Sequence, residues 1–214
     1  MSTAVDYPPQ PRGPGKRGEP AWDIALLFPP QGEWTEDEFL SLQTNHLVEL
    51  SEGRLEVLPT PTPFHQRIAQ FLYELLKAFV VARKLGEVFM APLPVRLWHG
   101  KLREPDVLFV RPGRIHNPHR PPEGADLAIE VVSEGEENRA RDLVTKRQEY
   151  YLARVEEYWI VDPQERRIIV LVPGEGGYRV SGEFTLGMTA VSVLLPGFTV
   201  SVEATLAAGE APAQ

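Results

Sequence analysis

Three side chains in this sequence have the types and spacing to do chemistry together: Asp106, Glu130 and Lys146. Asp106 closes the tetrapeptide Arg103-Glu104-Pro105-Asp106 and feeds the apolar run Val107-Leu108-Phe109-Val110. Glu130 sits inside Asp126-Leu127-Ala128-Ile129-Glu130-Val131-Val132. A carboxylate in such a strand-like segment is costly unless it is paired or bound to a cation. Aspartate and glutamate are hard oxygen ligands of the kind that Mg²⁺ or Mn²⁺ prefers. A cation held there polarises a phosphate and lowers the pKa of a bound water. Lys146 would position that water and offset charge building on the phosphoryl oxygens. The pattern points to metal-dependent hydrolysis of a phosphodiester.

Lys146 is remote from Glu130 in sequence, so its reach needs a reason. In a helix, Asp142, Lys146 and Tyr150 fall four residues apart on one face. A short connection lets that face look back at the strand before it. Plainer readings stand beside this one. Pro-Asp is a common turn at a strand entrance, and Glu130 on a solvated face would need no partner. Lys146 would then be a surface lysine paired with Asp142 or Glu149.

The elements that must position these residues are legible in outline. A short helix is expected at Glu36 to Leu42, with Thr35 as cap and Glu38 returning a capping box. His46 to Leu50 and Arg54 to Leu58 read as a hairpin around Ser51-Glu52-Gly53. Ile68, Phe71, Leu72, Leu75, Leu76, Phe79 and Val80 repeat at helical spacing. Pro63 suits the first turn of that helix, and Gly86 follows as a stop. Short strands are expected at Glu87 to Ala91 and Val95 to Trp98, then a turn at His99-Gly100-Lys101. Arg111 to Gly124 reads as an exposed loop beside the site.

After the Glu130 strand a helix spans Glu137 to Ala153. Glu157 to Val161, Arg167 to Val172, Tyr178 to Ser181, Val191 to Leu194 and Phe198 to Val202 read as strands. The order is α/β, with a mixed central sheet and helices against it. Residues 1–20 form a Pro/Gly/Arg-rich flexible tail, 21–206 a single domain and 207–214 a frayed end.

At these residues the chain resembles the Uma family of restriction-endonuclease-like proteins, within the PD-(D/E)XK nuclease superfamily. The matching pieces are Leu102 to Val110, Leu127 to Ser133, Arg141-Asp142-Leu143 through Lys146 to Tyr150-Tyr151, and Glu157 to Pro163. Glu49-Leu50 with Gly53, and Leu195-Pro196-Gly197-Phe198, extend the likeness over residues 34–203. The resemblance implies a restriction-endonuclease-like fold: a mixed central β-sheet flanked by helices. It implies Asp106 and Glu130 as ligands of Mg²⁺ or Mn²⁺, with Lys146 completing the catalytic set. Glu49 matches an early acidic position of the family, and a solvated hairpin carboxylate is the competing reading. The superfamily's usual lysine position, two residues after Glu130, holds Val132. In the Uma-type variant the lysine moves to the following helix, which Lys146 matches. His65 and Gln66 open the long helix, where their side chains can face the site as outer supports.

Composition narrows the rest. The 214 residues, 43% of them hydrophobic, suffice for one substantial core. There are no cysteines, which excludes disulfides and thiolate metal sites. No apolar run is long enough to span a membrane, and residues 1–20 lack the apolar core of a signal peptide. A cytoplasmic location follows by default. The net charge of -8 argues against a general polyanion binder but not against a local cleft. His116 and His119 read as loop residues, Gly174 to Gly177 as a turn, and Tyr150, Tyr151, Tyr158 and Trp159 as core.

The leading expectation is a divalent-metal-dependent endonuclease acting on DNA rather than RNA, the substrate following from the resemblance. Cutting both strands of a duplex would favour a two-fold homodimer. The rival is a nuclease-fold protein that has lost turnover and works as a binding or assembly module.

Overall fold

The computed structural model describes residues 28–44 and 46–210. The tail expected at 1–20, and residues 211–214, lie outside that range. Thr35 caps the first helix, α1 (Glu36–Ser41), through the expected capping box with Glu38. Thr62 caps the long helix α2 (Pro63–Arg83), and Pro63 occupies its first turn. Lys84 ends it in the left-handed conformation, at φ 54°. Ile68, Leu72, Leu76 and Val80 lie on one stripe of α2 and are fully buried.

That stripe packs on one face of a six-stranded sheet. Its strands are β3 (Glu87–Met90), β6 (Val107–Val110), β7 (Leu127–Val131), β8 (Glu157–Asp162), β9 (Arg167–Gly174) and β10 (Gly177–Thr185). The spatial order is β10-β9-β8-β7-β6-β3, and only β7 and β8 run parallel. A parallel pair needs a crossover, here supplied by helical segments. These are α3 (Glu136–Ala140), a π-helical turn (Arg141–Thr145) and α4 (Lys146–Leu152). Side chains on β7 alternate between faces. Leu127, Ile129 and Val131 join the α2 core, whereas Ala128 and Val132 join a second core containing Tyr150 and Tyr158. Glu130 shares the second face. The mixed central sheet flanked by helices is therefore present.

A second sheet stands beside it, in the order β2-β1-β5-β4. It contains β1 (Val48–Ser51), β2 (Arg54–Val57), β4 (Val95–Trp98) and β5 (Lys101–Arg103). The β1–β2 hairpin was expected, but β5 was not: Lys101 begins a strand instead of ending a turn. The cause is tertiary pairing, with Leu102 opposite both Leu50 and Arg96.

The C-terminal part also departs from expectation. The β-strand from Gly177 runs on to Thr185 through a bulge at Val180/Gly182. The strand expected at Val191 to Leu194 lies earlier, as β11 (Thr189–Val191), and the one expected at Phe198 to Val202 shrinks to β12 (Thr199–Ser201). Helix α5 (Val202–Gly209) follows, in place of the expected strand end and the start of the frayed segment from Ala207. Ser201 starts it by accepting the Ala204 N–H. Its mostly small residues show no clear helical period, and the helix packs against α2. A Cβ added to Gly209 would stand 2.5 Å from the Phe64 ring.

The loop Arg111 to Gly124 leaves the end of β6 opposite Asp106, so it is not beside the site. It is pinned there by Arg111 to Glu156, Arg114 to Asp126 and Arg120 to Asp37. Its His116 and His119 are exposed. Among the described residues no helix is long and apolar enough to cross a membrane.

Candidate active site

Pro105 turns the chain into β6 and sets Asp106 at its entrance. The Val131 N–H donates to Asp106 Oδ2 at 2.7 Å, which ties the β6 entrance to the end of β7. Glu130, one residue earlier on β7, is 3% exposed. Its Oε1 accepts the Tyr150 hydroxyl at 2.7 Å, and its Oε2 lies 2.9 Å from Lys146 Nζ. The four-residue spacing of Asp142, Lys146 and Tyr150 does what the sequence suggested. All three are buried and turned toward β7.

The π-helical turn contributes to this. The Lys146 N–H reaches back to the Arg141 carbonyl, five residues away, a wider loop than an α-helical turn. Asp142 Oδ1 lies 3.4 Å from Lys146 Nζ, and the Tyr158 hydroxyl donates to the Asp142 carbonyl at 3.0 Å. The lysine is thus the partner of Asp142 and of Glu130 at once, while only 3% exposed.

Glu49 is also buried, on β1. Its Oε1 accepts the Glu104 N–H at 2.9 Å and lies 4.0 Å from Lys146 Nζ. Its Oε2 accepts from Arg103 at 2.7 Å. The residue stands behind the lysine, outside the lining of the site cavity. It is no solvated hairpin carboxylate.

Electrostatics follow from this crowding. Burial raises the Glu130 carboxyl above its usual range against the pull of Lys146, and Asp106, Asp142 and Glu49 add to the rise. Burial works against the Lys146 ammonium, but Glu130, Glu49, Asp142 and Asp106 outweigh it and raise its pKa. The lysine therefore stays charged. Burial, helped by Glu49 and opposed by Lys146, pushes the Glu104 carboxyl up to about 7. For His65, burial is outweighed by its hydrogen bond to Asp106 and by that residue's charge, so its pKa rises.

Arg103, 1% exposed, is a component that the sequence did not reveal. It makes a two-pronged contact with Glu149, at 2.7 and 2.9 Å, and also pairs with Glu49 and Glu56. Lys101 joins through Glu149 at 2.5 Å and Ser51 at 2.7 Å. Charged residues flanking Leu102 at period two look like the wet face of a half-exposed strand. Here that face is covered by α4. The network couples the small sheet to the helix that carries Lys146.

One cavity is lined by Asp106, Glu130, Lys146, Asp142, Glu104 and His65 among others. Asp106, Glu130 and Lys146 are thus brought together on one wall system. His65 belongs to it, and Gln66 lines it as well. Glu104 was missed as a site residue, although it precedes Pro105-Asp106. Its Oε2 is buried with no hydrogen-bond partner. Among the described residues no set of three or more His, Cys, Asp or Glu is arranged to hold a metal. Mg²⁺ is commonly held by only one or two carboxylates, with waters filling its shell. Two carboxylates and an orphaned carboxylate oxygen on one cavity fit that kind of ion.

The family model of Uma2, described as “Putative restriction endonuclease”, matches residues 36–203. A solved structure, described as a putative nuclease belonging to DUF820 from Anabaena variabilis ATCC 29413, superposes with a TM-score of 0.66 at 18% identity. The match covers 83% of this chain and 99% of that one, and it shows that the two share a fold. No curated protein matches the chain. With the family model spanning most of its length, from α1 through β12, the chain belongs to the Uma2 family of restriction-endonuclease-type proteins.

Proposed function

We propose that this protein is a divalent-metal-dependent endonuclease that hydrolyses phosphodiester bonds of DNA. The observation that carries the reading is a buried ammonium, Lys146, held 2.9 Å from Glu130 in a cavity that Asp106 also lines. Asp106 and Glu130 would hold Mg²⁺ or Mn²⁺, which when bound supplies positive charge to polarise the phosphate and acidify a water. Lys146 keeps its proton, so it is no general base. Its ammonium orients the attacking water and offsets charge growing on the phosphoryl oxygens. Water's oxygen bonds to phosphorus as the bond to the leaving sugar oxygen breaks; the water gives up its proton to solvent, and the leaving oxygen takes one from solvent.

Glu49 acts from behind, keeping the ammonium in place. Arg103 and the Glu104 N–H hold Glu49 in turn. DNA rather than RNA is the proposed substrate, and the cytoplasm the proposed compartment. A two-fold homodimer would match the pseudo-symmetry of the duplex backbone.

The test incubates purified protein with plasmid DNA and with DNA and RNA oligonucleotides, in Mg²⁺ or Mn²⁺, beside Asp106→Ala. Cutting of DNA by the unaltered protein alone is the expected outcome. Equal cutting by both proteins would trace the activity to contamination and end the assignment. One observation favours the rival reading of a binding module without turnover: Tyr150 and Lys146 already occupy both oxygens of Glu130. That reading expects neither cleavage nor a rise in melting temperature with millimolar Mn²⁺. A ligand of the native state alone raises stability once its concentration passes its dissociation constant.

A further inference from the structure

His65 begins from a fixed point. Its backbone N–H donates to Thr62 Oγ1 at 3.2 Å, so the helix cap sets where the imidazole starts. From there the ring, 12% exposed, reaches the end of β7 and the entrance of β6. Nε2 lies 3.0 Å from the Val131 carbonyl oxygen and 3.3 Å from Asp106 Oδ2. Both neighbours are acceptors, so Nε2 carries the proton and donates. Nδ1 is buried with no partner. The ring's hydrogen bonding is therefore spent wholly at Nε2, on the link to Asp106 and β7.

Asp106 Oδ2 accepts the Val131 N–H at 2.7 Å, and His65 Nε2 stands 3.3 Å from the same oxygen as a charged neighbour. Both meet the same oxygen. That leaves Oδ1 to the cavity that Asp106 and His65 line together. We propose that His65 is the positioning residue of the metal site: it fixes the Asp106 carboxylate so that Oδ1 faces the cation. The proposal rests on the metal-dependent reading above. A residue kept for packing alone has no reason to bury an unpartnered ring nitrogen, which costs stability that a phenyl ring would not.

The experiment titrates Mn²⁺ into the full chain by calorimetry, for the unaltered protein, His65→Gln, His65→Phe and Asp106→Ala, and records each melting temperature without metal. Glutamine can present an amide N–H near the place of Nε2, and phenylalanine cannot. His65→Phe is expected to weaken Mn²⁺ binding 10- to 100-fold, the usual loss when a ligand's supporting hydrogen bond is removed. His65→Gln is expected to recover most of that loss, and the melting temperatures of the two variants to stay close together. Unchanged affinity in His65→Phe overturns the proposal. Equal weakening in both variants also overturns it, because the donor would then not be the cause. Absence of Mn²⁺ binding by the unaltered protein removes the metal-dependent reading itself, and the positioning role with it.

Discussion

Tyr150 and Lys146 divide the Glu130 carboxylate between them: the tyrosine hydroxyl donates to Oε1 at 2.7 Å and the ammonium stands 2.9 Å from Oε2. Both partners come from α4, one turn apart, and both are buried. A strand carboxylate that would be prohibitive alone is tolerated because a single helix face satisfies both of its oxygens.

Lys146→Ala has two separable consequences. Glu130, Asp142 and Glu49 lose their shared cation inside the protein. Removing one partner of a buried ion pair costs about 3–5 kcal/mol. Urea unfolding at neutral pH measures this, and a loss near zero would mean that the lysine is a surface group. Turnover of the folded fraction should drop by roughly two to three orders of magnitude, the scale of a lost charge-stabilising group.

Tyr150→Phe isolates the other half of the arrangement. Ring packing against Tyr158, with centroids 5.0 Å apart, is retained, but Oε1 of Glu130 loses its donor. A buried acceptor left unsatisfied costs about 1–3 kcal/mol. Chemical denaturation should register that loss. A variant as stable as the parent would show that water replaces the hydroxyl.

Acid sensitivity is expected from Asp162, at the end of β8. Arg139 donates to its two oxygens at 2.9 and 2.8 Å. Burial alone would raise the carboxyl, but these hydrogen bonds, the Glu165 N–H and the charges of Arg139 and Arg167 hold it below its usual value. A carboxyl depressed in the folded state stabilises above its unfolded pKa, about 3.9, and that stability is lost as pH falls through the folded value. The stability gap between the parent and Asp162→Asn should be full at about pH 6 and vanish toward about pH 2. A gap independent of pH would remove the ion pair as its source.

What the sequence by itself determined is whatever depends on neighbours within a turn or a strand. The Thr35–Glu38 capping box, the α2 stripe of Ile68, Leu72, Leu76 and Val80 and the inward face of Asp142, Lys146 and Tyr150 all follow from local spacing and are present, although Leu75, expected on the same stripe, is exposed. So is the strand setting of Glu130, since an apolar run on either side left it nowhere wet to go. The tertiary structure decided the rest, because the order of strands brings together residues that no period relates. Arg103 is buried only because β5 pairs with β1 and α4 covers it, and Glu49 stands behind Lys146 for the same reason. His65 reaches Asp106 because α2 crosses the sheet where β6 begins. Helix α5 likewise packs against α2. Burial of a charge is a property of what lies across from it, and that is settled only when the sheets assemble.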